Sequence, residues 1–404
     1  MTIFITGMGM ITPLGEGVES NWRSLMDAKS GIKGITRFDP SGFPVRFAAE
    51  CPNVDPLPID NQSPFIARQL ATLKGRLTAI ALQEALTMAN VDLSGPRVGI
   101  CLGSEAARPD LALLANRKKE GKSPDLADLD ALSPDAPVKL IQFMTGATGP
   151  TSVVSTACTS SSQAIGEGLL QLRRGEVDAM IVGGVDVLVD PLMVTGFSLL
   201  GALSTRNDDP EAASRPFDSQ RDGFVLGEGA GFIVLENEKR LGGREPIGRL
   251  SGYGCSCNAY RITDSPPDGR GAAQSMRSAL YDAGLRPESI GYINAHGTST
   301  KMNDASETRG ILSAFGQVGS RVPVSSTKSM MGHLVAACGA VEAIVSMLAV
   351  RNGYLPPTRN LDSVDPDCVL NHIPHEPIQS DIEHAMTNAF GFGGSNGTLV
   401  VSRC

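Results

Sequence analysis

The chain has 404 residues, of which 41% are hydrophobic and 19% are charged, and its formal net charge is -8. A chain of this length can bury a large hydrophobic core, either in two domain-sized units or in one large fused unit. Its negative net charge argues against a nucleic-acid partner. The eight cysteines are scattered along the sequence and do not indicate a disulfide framework. Cys255 and Cys257 are not accompanied by a second pair of potential zinc ligands, so a zinc site is not indicated either.

The first predicted element is a strand and turn in MTIFITGMGMITPLG. This segment lacks the basic residues with which a signal peptide begins. It also does not indicate a dinucleotide-binding motif, because no third glycine follows Gly7 and Gly9 at the required spacing and Glu19 is a poor candidate for the acidic residue of that motif. Elsewhere Gly, Pro or charge interrupts every apolar stretch approaching the ~18 residues that a membrane helix needs. We expect a cytoplasmic protein outside the membrane.

The segment VVSTACTSSSQAIGEGLLQLRRG places Cys158 in a predicted turn between a strand and a helix. At a helix N-terminus, the exposed N–H groups and the positive dipole end favour a thiolate and can also hold an oxyanion. Cys158 is therefore a candidate nucleophile. The alternative interpretation is a small buried core residue, as free cysteines usually are.

Two histidines follow predicted strands later in the chain. INAHGTSTKMNDASE places His296 after one strand, and VPVSSTKSMMGHLVAACGAVEAIVSMLAV places Lys328 and His333 in a loop between the next strand and a long apolar helix. In α/β folds, functional side chains converge outside the carboxyl ends of strands. The remaining histidines lie in a polar C-terminal stretch and are interpreted as ordinary surface or core residues: His372, His375 and His384.

Strand-like and helical runs alternate along the chain, as is typical of an α/β fold. A strand, a reactive loop and an apolar helix occur around Cys158 and again around His333. The two parts of the chain therefore echo each other, although no literal repeat is visible. Residues 104–140 are rich in Ala, Asp, Pro and Lys and are predicted to be an excursion from the core.

Several motifs together resemble the elongating β-ketoacyl-acyl-carrier-protein synthases: STACTSS, NAHGTST, SSTKSMMGHLVAACGAVEA and NAFGFGGSNG, with ITGMGMITPLG at the start and PPTRNLD near the end. The resemblance covers essentially the whole chain. It implies the thiolase fold, an αβαβα five-layer sandwich of two similar halves, residues 1–250 and 251–404, that meet near the Gly-rich LGGREPIGRLSGYG. It also implies a decarboxylative condensation of an acyl group on Cys158 with malonyl-carrier protein, in fatty-acid or polyketide and polyene synthesis.

The resemblance assigns a role to each matching residue. His296 and His333 would stabilise the enolate, and Lys328 and Glu342 would form an ionic network that orients them, although a purely structural salt bridge is the alternative. The N–H of Phe392, in the glycine-rich loop, would complete the oxyanion hole with that of Cys158, and its ring would gate the acyl pocket. The remaining candidates are Thr298 and Thr300 for the pantetheine arm (or merely as turn caps), Phe197 for the substrate, and Arg206 and Arg68 for carrier-protein docking.

The same resemblance implies no bound metal or cofactor, because phosphopantetheine arrives on the acyl carrier protein. It implies a dimer, made either with a second copy or with a related ketosynthase subunit. The chain departs from the usual pattern at Met331, Cys338 and Arg261, where threonine, a small residue and histidine are common. Ala106 also replaces a larger apolar residue, which indicates room for a longer or stiffer acyl group and favours a specialised polyketide or polyene synthase as an alternative.

Two other classes of protein share this fold. A CoA-dependent thiolase would carry a second cysteine in the final glycine-rich loop, where this chain has Ser395 and Asn396. A non-catalytic chain-length subunit would lack the nucleophile, whereas this chain retains Cys158 and both histidines. The sequence therefore favours the condensing enzyme.

Overall fold

A computed structural model describes residues 1–58, 63–105, 118–123 and 132–404. Ala106 and much of the excursion predicted at 104–140 lie outside the described residues. The described part of that excursion includes residues 118–123, which are all exposed.

The described strands, in chain order, are β1 (Ile3–Thr12), β2 (Gly15–Glu16), β3 (Lys33–Gly34), β4 (Phe47–Ala48), β5 (Val98–Ser104), β6 (Thr151–Val154), β7 (Ala179–Asp186), β8 (Gly229–Asn237), β9 (Gly248–Cys257), β10 (Tyr292–Asn294), β11 (Pro323–Ser325), β12 (Tyr354–Leu355), β13 (Asn371–His372), β14 (Ile378–Gln379), β15 (His384–Phe390) and β16 (Ser395–Ser402).

The described helices are α1 (Val18–Met26), α2 (Pro64–Ala71), α3 (Leu73–Ala89), α4 (Ala136–Thr145), α5 (Ser160–Arg173), α6 (Pro191–Leu199), α7 (Glu238–Leu241), α8 (Arg270–Ala283), α9 (Lys301–Phe315), α10 (Lys328–Met331) and α11 (Cys338–Asn352).

The strands form two mixed sheet halves. The N-terminal half has the order β6-β5-β7-β8-β1, and the C-terminal half has the order β9-β16-β15-β10-β11-β13. A short antiparallel pairing between β1 and β9 joins them through Phe4 and Arg249 and through Ile5 and Gly248. The parallel pairs β5–β6, β5–β7, β10–β11 and β10–β15 bring the carboxyl ends of these strands together in each half.

Helices fill three layers around these sheets. Helices α5 and α11 form the central layer, with α11 contacting strands of both halves. Helix α3 packs on β1 and β8, while α8 packs on β9 and β16 and is covered by α9. The central helices approach closely at their N-terminal ends, because a Cβ at Gly339 would lie 2.0 Å from Ser162 Oγ. This arrangement confirms the predicted five-layer α/β fold.

The structure adds two long strands that sequence patterns did not indicate. The Gly-rich stretch near residue 250 is in part strand β9, and its glycine at Gly254 permits close helix packing, since a Cβ there would lie 2.1 Å from the Ser275 carbonyl oxygen of α8. The polar C-terminal stretch contains β15, whose residues from Ala385 to Phe390 are buried. Tertiary contacts, rather than strand-like composition, account for both elements.

One helical segment, Val335–Asn352, is long and apolar enough to cross a membrane, with a mean hydropathy of 1.4. However, 89% of it is buried inside the protein. Its apolar residues pack between the two sheet halves, as expected of a central core helix.

Candidate active site

The candidate nucleophile lies on a tight turn between β6 and α5. Cys158 occupies a single 3-10 turn, Ala157–Thr159, directly before Ser160, the first residue of α5. Ala157 has a φ of 53°, an uncommon value for a residue with a side chain. The Glu105 carboxylate supports this turn, because it accepts hydrogen bonds from Ala157 N at 2.9 Å and from Ser155 Oγ at 2.6 Å.

Cys158 is a neutral thiol in this structure. The residue is only 7% exposed, and burial raises the pKa of its thiol to about 12. The Lys328 charge and the backbone N–H groups of Phe392 and Cys158 lower this pKa, but burial outweighs them. The backbone N–H groups at the helix N-terminus thus lower the pKa of Cys158, as the sequence predicts, but burial acts in the opposite direction and is the larger effect, because the charged thiolate loses its hydration.

His333 contacts the nucleophile directly. Its Nε2 lies 3.1 Å from Cys158 Sγ. On the other side of the ring, the Val335 N–H donates to Nδ1 at 3.1 Å, so Nδ1 is an acceptor and Nε2 carries the proton of the neutral ring. Cys338 Sγ is also 3.0 Å from Nδ1.

His296 lies against His333, with their ring centroids 5.3 Å apart. The buried Glu307 carboxylate holds the loop of His296, because it accepts from His296 N at 2.9 Å and from Gly297 N at 2.8 Å. Burial lowers the pKa of both histidines well below the usual value, and the Lys328 charge lowers it further. Both rings are therefore neutral at neutral pH and can donate a hydrogen bond without carrying a full charge.

Cys158 Sγ and one ring nitrogen of each histidine all lie within 4.8 Å of one another. In the part of the chain that the structure describes, no other three His, Cys, Asp or Glu side chains converge as potential metal ligands. One thiol beside two neutral imidazole rings is suited to covalent catalysis on a carbonyl compound, followed by stabilisation of an oxyanion or enolate.

Lys328 and Glu342 form a buried ion pair next to these groups, through Lys328 Nζ and Glu342 Oε1. Their side chains are 2% and 1% exposed. Burial lowers the pKa of Lys328, but its interactions with Cys338 and with the Glu342 carboxylate outweigh this and raise the pKa, so the lysine remains charged and acts electrostatically on both histidines. The structure thus places both residues of the predicted ionic network beside the site.

A cavity of about 560 Å³ leads to this cluster and is lined by Cys158, His296 and His333. Thr298 and Thr300 also line it, and their Oγ1 atoms lie 2.9 Å apart. Both predicted threonines therefore belong to the cavity wall.

Four phenylalanines line the cavity, and three of them form a series of neighbouring rings that ends at His333. The Phe392 ring lies 6.4 Å from Phe197, Phe197 lies 5.3 Å from Phe224, and Phe224 lies 5.3 Å from His333, measured between ring centroids. Phe392 belongs to a loop whose Gly393 N donates to the Ile262 carbonyl oxygen at 2.7 Å. Phe197 and Phe392 were predicted, whereas Phe224 was not.

The residues predicted for carrier docking lie outside the cavity wall. Arg206 is half-buried, and its guanidinium lies 3.4 Å from the Gln220 carbonyl oxygen, close to Asp222 on the cavity wall. Arg68 is half-buried in the last turn of α2. The three histidines interpreted as ordinary residues also lie elsewhere, for example His372, which hydrogen-bonds the Cys368 carbonyl oxygen at 2.7 Å.

Sequence reasoning missed Glu105, Phe224 and Glu307. Glu307 follows His296 in the same motif, so an acidic residue in the next helix was a usable signal. Glu105 and Phe224 come from segments far from Cys158 and His333 in sequence, and only folding brings them together.

Comparisons with known proteins match most of the chain to one family. Residues 1–240 match the β-ketoacyl synthase N-terminal domain, and residues 247–362 match the C-terminal domain of that family. The chain is 39% identical over 430 residues to the 3-oxoacyl-[acyl-carrier-protein] synthase 2 of Coxiella burnetii, covering 99% of this chain and 98% of the relative.

Two solved structures are similar over 100% of this chain and 99% of their own. One is the ishigamide ketosynthase/chain length factor, with a TM-score of 0.91 and 31% identity. The other is a type II polyketide synthase acyl-carrier protein in complex with its ketosynthase bound to the hexaketide, with a TM-score of 0.87 and 29% identity. These matches confirm the family resemblance.

The Lys328–Glu342 pair allows a test of catalytic against structural roles. Glu342→Ala should lower the free energy of unfolding by ~3 to 5 kcal/mol, because it leaves a buried charge without its partner. The double variant Lys328→Met, Glu342→Leu should recover most of that stability in denaturant unfolding. If the pair also tunes the histidines, decarboxylation by the double variant should stay about 10-fold or more below wild type. Full activity in the double variant would show that the pair is only structural.

Proposed function

This chain belongs to the β-ketoacyl synthase family, and we propose that it is a 3-oxoacyl-[acyl-carrier-protein] synthase, an acyltransferase that extends an acyl chain by two carbons. The observation that carries this proposal is the convergence of Cys158 Sγ with ring nitrogens of His296 and His333 within 4.8 Å in a cavity. A chain-length subunit would not need a nucleophile there. A thiolase would need a second cysteine in the final loop, where Ser395 and Asn396 stand.

The first half-reaction transfers an acyl group to the enzyme. Cys158 Sγ attacks the thioester carbonyl of the acyl-carrier protein, and the backbone N–H groups of Cys158 and Phe392 stabilise the oxyanion. The C–S bond to the carrier then breaks, and the thiol proton passes to the departing pantetheine thiolate. The products are acyl-Cys158 and the free carrier thiol. The raised pKa of Cys158 means that its thiolate forms in contact with substrate and His333, rather than standing free beforehand.

The second half-reaction makes and uses a carbon nucleophile. Malonyl-carrier protein loses CO2, and the electron pair of the broken C–C bond forms an enolate whose oxygen accepts hydrogen bonds from His296 and His333. The enolate carbon attacks the carbonyl of acyl-Cys158, the C–S bond breaks to release the 3-oxoacyl-carrier protein, and the Cys158 thiolate takes up one proton from solvent. Neutral rings suit this step, because an N–H donor can stabilise the enolate without becoming a counter-ion that resists carbon attack.

The carrier protein supplies the pantetheine arm, so we propose no resident cofactor or metal. We propose that Thr298 and Thr300, which line the cavity, hydrogen-bond the amides of that arm. The pocket and the unusual Ala106 leave fatty-acid and polyketide or polyene substrates as alternatives. The free thiols of all eight cysteines are in keeping with a cytoplasmic location.

The nucleophile can be tested by intact-mass analysis. Wild-type protein incubated with acyl-carrier protein should gain the mass of one acyl group, whereas Cys158→Ala should gain none and should not condense. Cys255→Ala, which removes an exposed cysteine on β9, is the matched control and should be acylated normally. An acyl adduct on the Cys158→Ala protein would assign the nucleophile to another residue.

The histidines should affect the two half-reactions differently. His333→Ala and His296→Ala should each lower malonyl decarboxylation by ~100-fold or more, as expected when a principal donor to a developing oxyanion is lost. Acylation of Cys158 should fall less. The measurement is the rate of CO2 release beside the rate of acyl-enzyme formation. Equal losses in both rates for both variants would contradict this division of roles.

We propose that Arg206 contributes to docking of the acidic carrier protein, with Arg68 as a second contact. Arg206→Glu should raise the KM for acyl-carrier protein at low salt, where charge steering is strongest, with little change for a small acyl-pantetheine. Arg174→Glu is the control, because Arg174 is exposed at the far end of α5 from Cys158. An unchanged KM for Arg206→Glu would place the docking surface elsewhere.

We also propose that the protein works as a dimer, with a second copy or a related ketosynthase subunit. Helix α6 has the apolar sequence PLMVTGFSL, yet only Val194 is buried, and Leu199 is 84% exposed. Among the described strands, β6 lies at the edge of the sheet, and such an edge can extend strand pairing into a second subunit. Sedimentation of the purified chain should give twice the mass of 42.4 kDa. A monomer that dimerises only with an added ketosynthase subunit would indicate the heterodimer.

A further inference from the structure

Cys338 is a second thiol in contact with the catalytic histidine. It is the first residue of α11, five positions after His333, and it is 1% exposed. Its Sγ lies 3.0 Å from His333 Nδ1, while Cys158 Sγ lies 3.1 Å from Nε2. The imidazole ring is therefore flanked by two thiols, one at each nitrogen.

The neighbouring backbone determines which way the Cys338 hydrogen bond runs. The Val335 N–H already donates to Nδ1 at 3.1 Å, so Nδ1 has no proton in the neutral ring. The Cys338 thiol can then interact with Nδ1 only as the donor. Burial raises the pKa of this thiol well above its usual value, which keeps it protonated and able to donate.

We propose that Cys338 is a positioning residue for His333: its S–H donates a second hydrogen bond to Nδ1 and thereby holds the ring neutral, with its proton on Nε2. The proposal deepens the proposed condensing function, because that Nε2–H is the group that would donate to the enolate oxygen. Two donors at Nδ1 draw electron density from the ring and make Nε2–H a stronger donor. They also oppose protonation of the ring, because a proton on Nδ1 would displace both of these hydrogen bonds.

Cys338 is not a second nucleophile on this geometry. In the part of the chain that the structure describes, the cavity wall includes Cys158 but not Cys338. Other ionisable groups also act on His333 or on the thiols beside it, and each must stay unchanged in the test: Cys158, Asp186, His296, Lys328 and Glu342.

The test compares Cys338→Ala, which removes the donor, with Cys338→Ser, which restores one of similar size. The readout is the pH profile of malonyl-carrier protein decarboxylation. Cys338→Ala should lower the rate at pH 7 by roughly 3- to 10-fold and move the acid limb up by about 0.5 to 1 pH unit, as expected for the loss of one hydrogen bond to the neutral ring. Cys338→Ser should stay close to wild type in both respects.

A matched control separates positioning from packing. Cys368→Ala removes another buried cysteine, in a different part of the core, and should leave the pH profile unchanged. Alanine at position 338 should fold, because small residues are usual there in the family that the chain resembles, and thermal unfolding checks this. The proposal would be overturned if the pH profile of Cys338→Ala coincided with that of wild type. It would also be overturned if Cys338→Ala lowered the rate without shifting the acid limb and Cys338→Ser did not restore the rate.

Histidine nitrogen NMR provides a readout that does not depend on turnover. In ¹⁵N-histidine-labelled protein, with the His333 signals assigned by their loss in His333→Ala, wild type should show the Nε2–H form. Cys338→Ala should shift the Nδ1 resonance towards that of a less hydrogen-bonded nitrogen, and Cys338→Ser should not. An Nδ1 resonance unaffected by Cys338→Ala would overturn the proposal. Absence of decarboxylation by wild type would instead refute the condensing function and leave the NMR result to decide the role of Cys338.

Discussion

The contact between Cys158 Sγ and His333 Nε2, buried between the two sheet halves, is the constraint on which the site depends. Burial keeps Cys158 a thiol and both histidines uncharged, so the resting site carries no charge on its reacting groups. The nearby charge belongs to Lys328, which Glu342 compensates. Such a site favours an oxyanion or enolate when substrate creates one, without having to hold a charge beforehand.

The fold brings these groups together through its central helices. Cys158 immediately precedes α5, and His333 lies in the loop before α11, so both groups lie near the N-terminal ends of neighbouring helices. The close approach of Gly339 to Ser162 reduces the distance between these ends, since a larger residue at 339 would meet the Ser162 hydroxyl. A change in this packing would therefore alter the Cys158–His333 distance even though neither of these two side chains had itself been changed.

Residues around the reacting groups hold them in their working geometry. Glu105 accepts hydrogen bonds from the turn of Cys158, and Glu307 does the same for the loop of His296. Val335 and Cys338 act on the far nitrogen of His333. Each reacting group therefore has its own supporting contact, which limits the reorganisation needed when charge develops.

The sequence by itself determined the family, the α/β fold, and the local setting of Cys158, His296 and His333, because strand ends, caps and helical periodicity are local patterns. It could not determine the protonation state of Cys158, because burial, which raises the pKa of the thiol, depends on the tertiary structure and not on the local sequence. Strands β9 and β15, and the roles of Glu105 and Phe224, also required the tertiary structure. In each case the contact that decides the outcome joins segments that are distant in the chain. No local sequence pattern specifies how closely such segments approach or whether water is excluded between them.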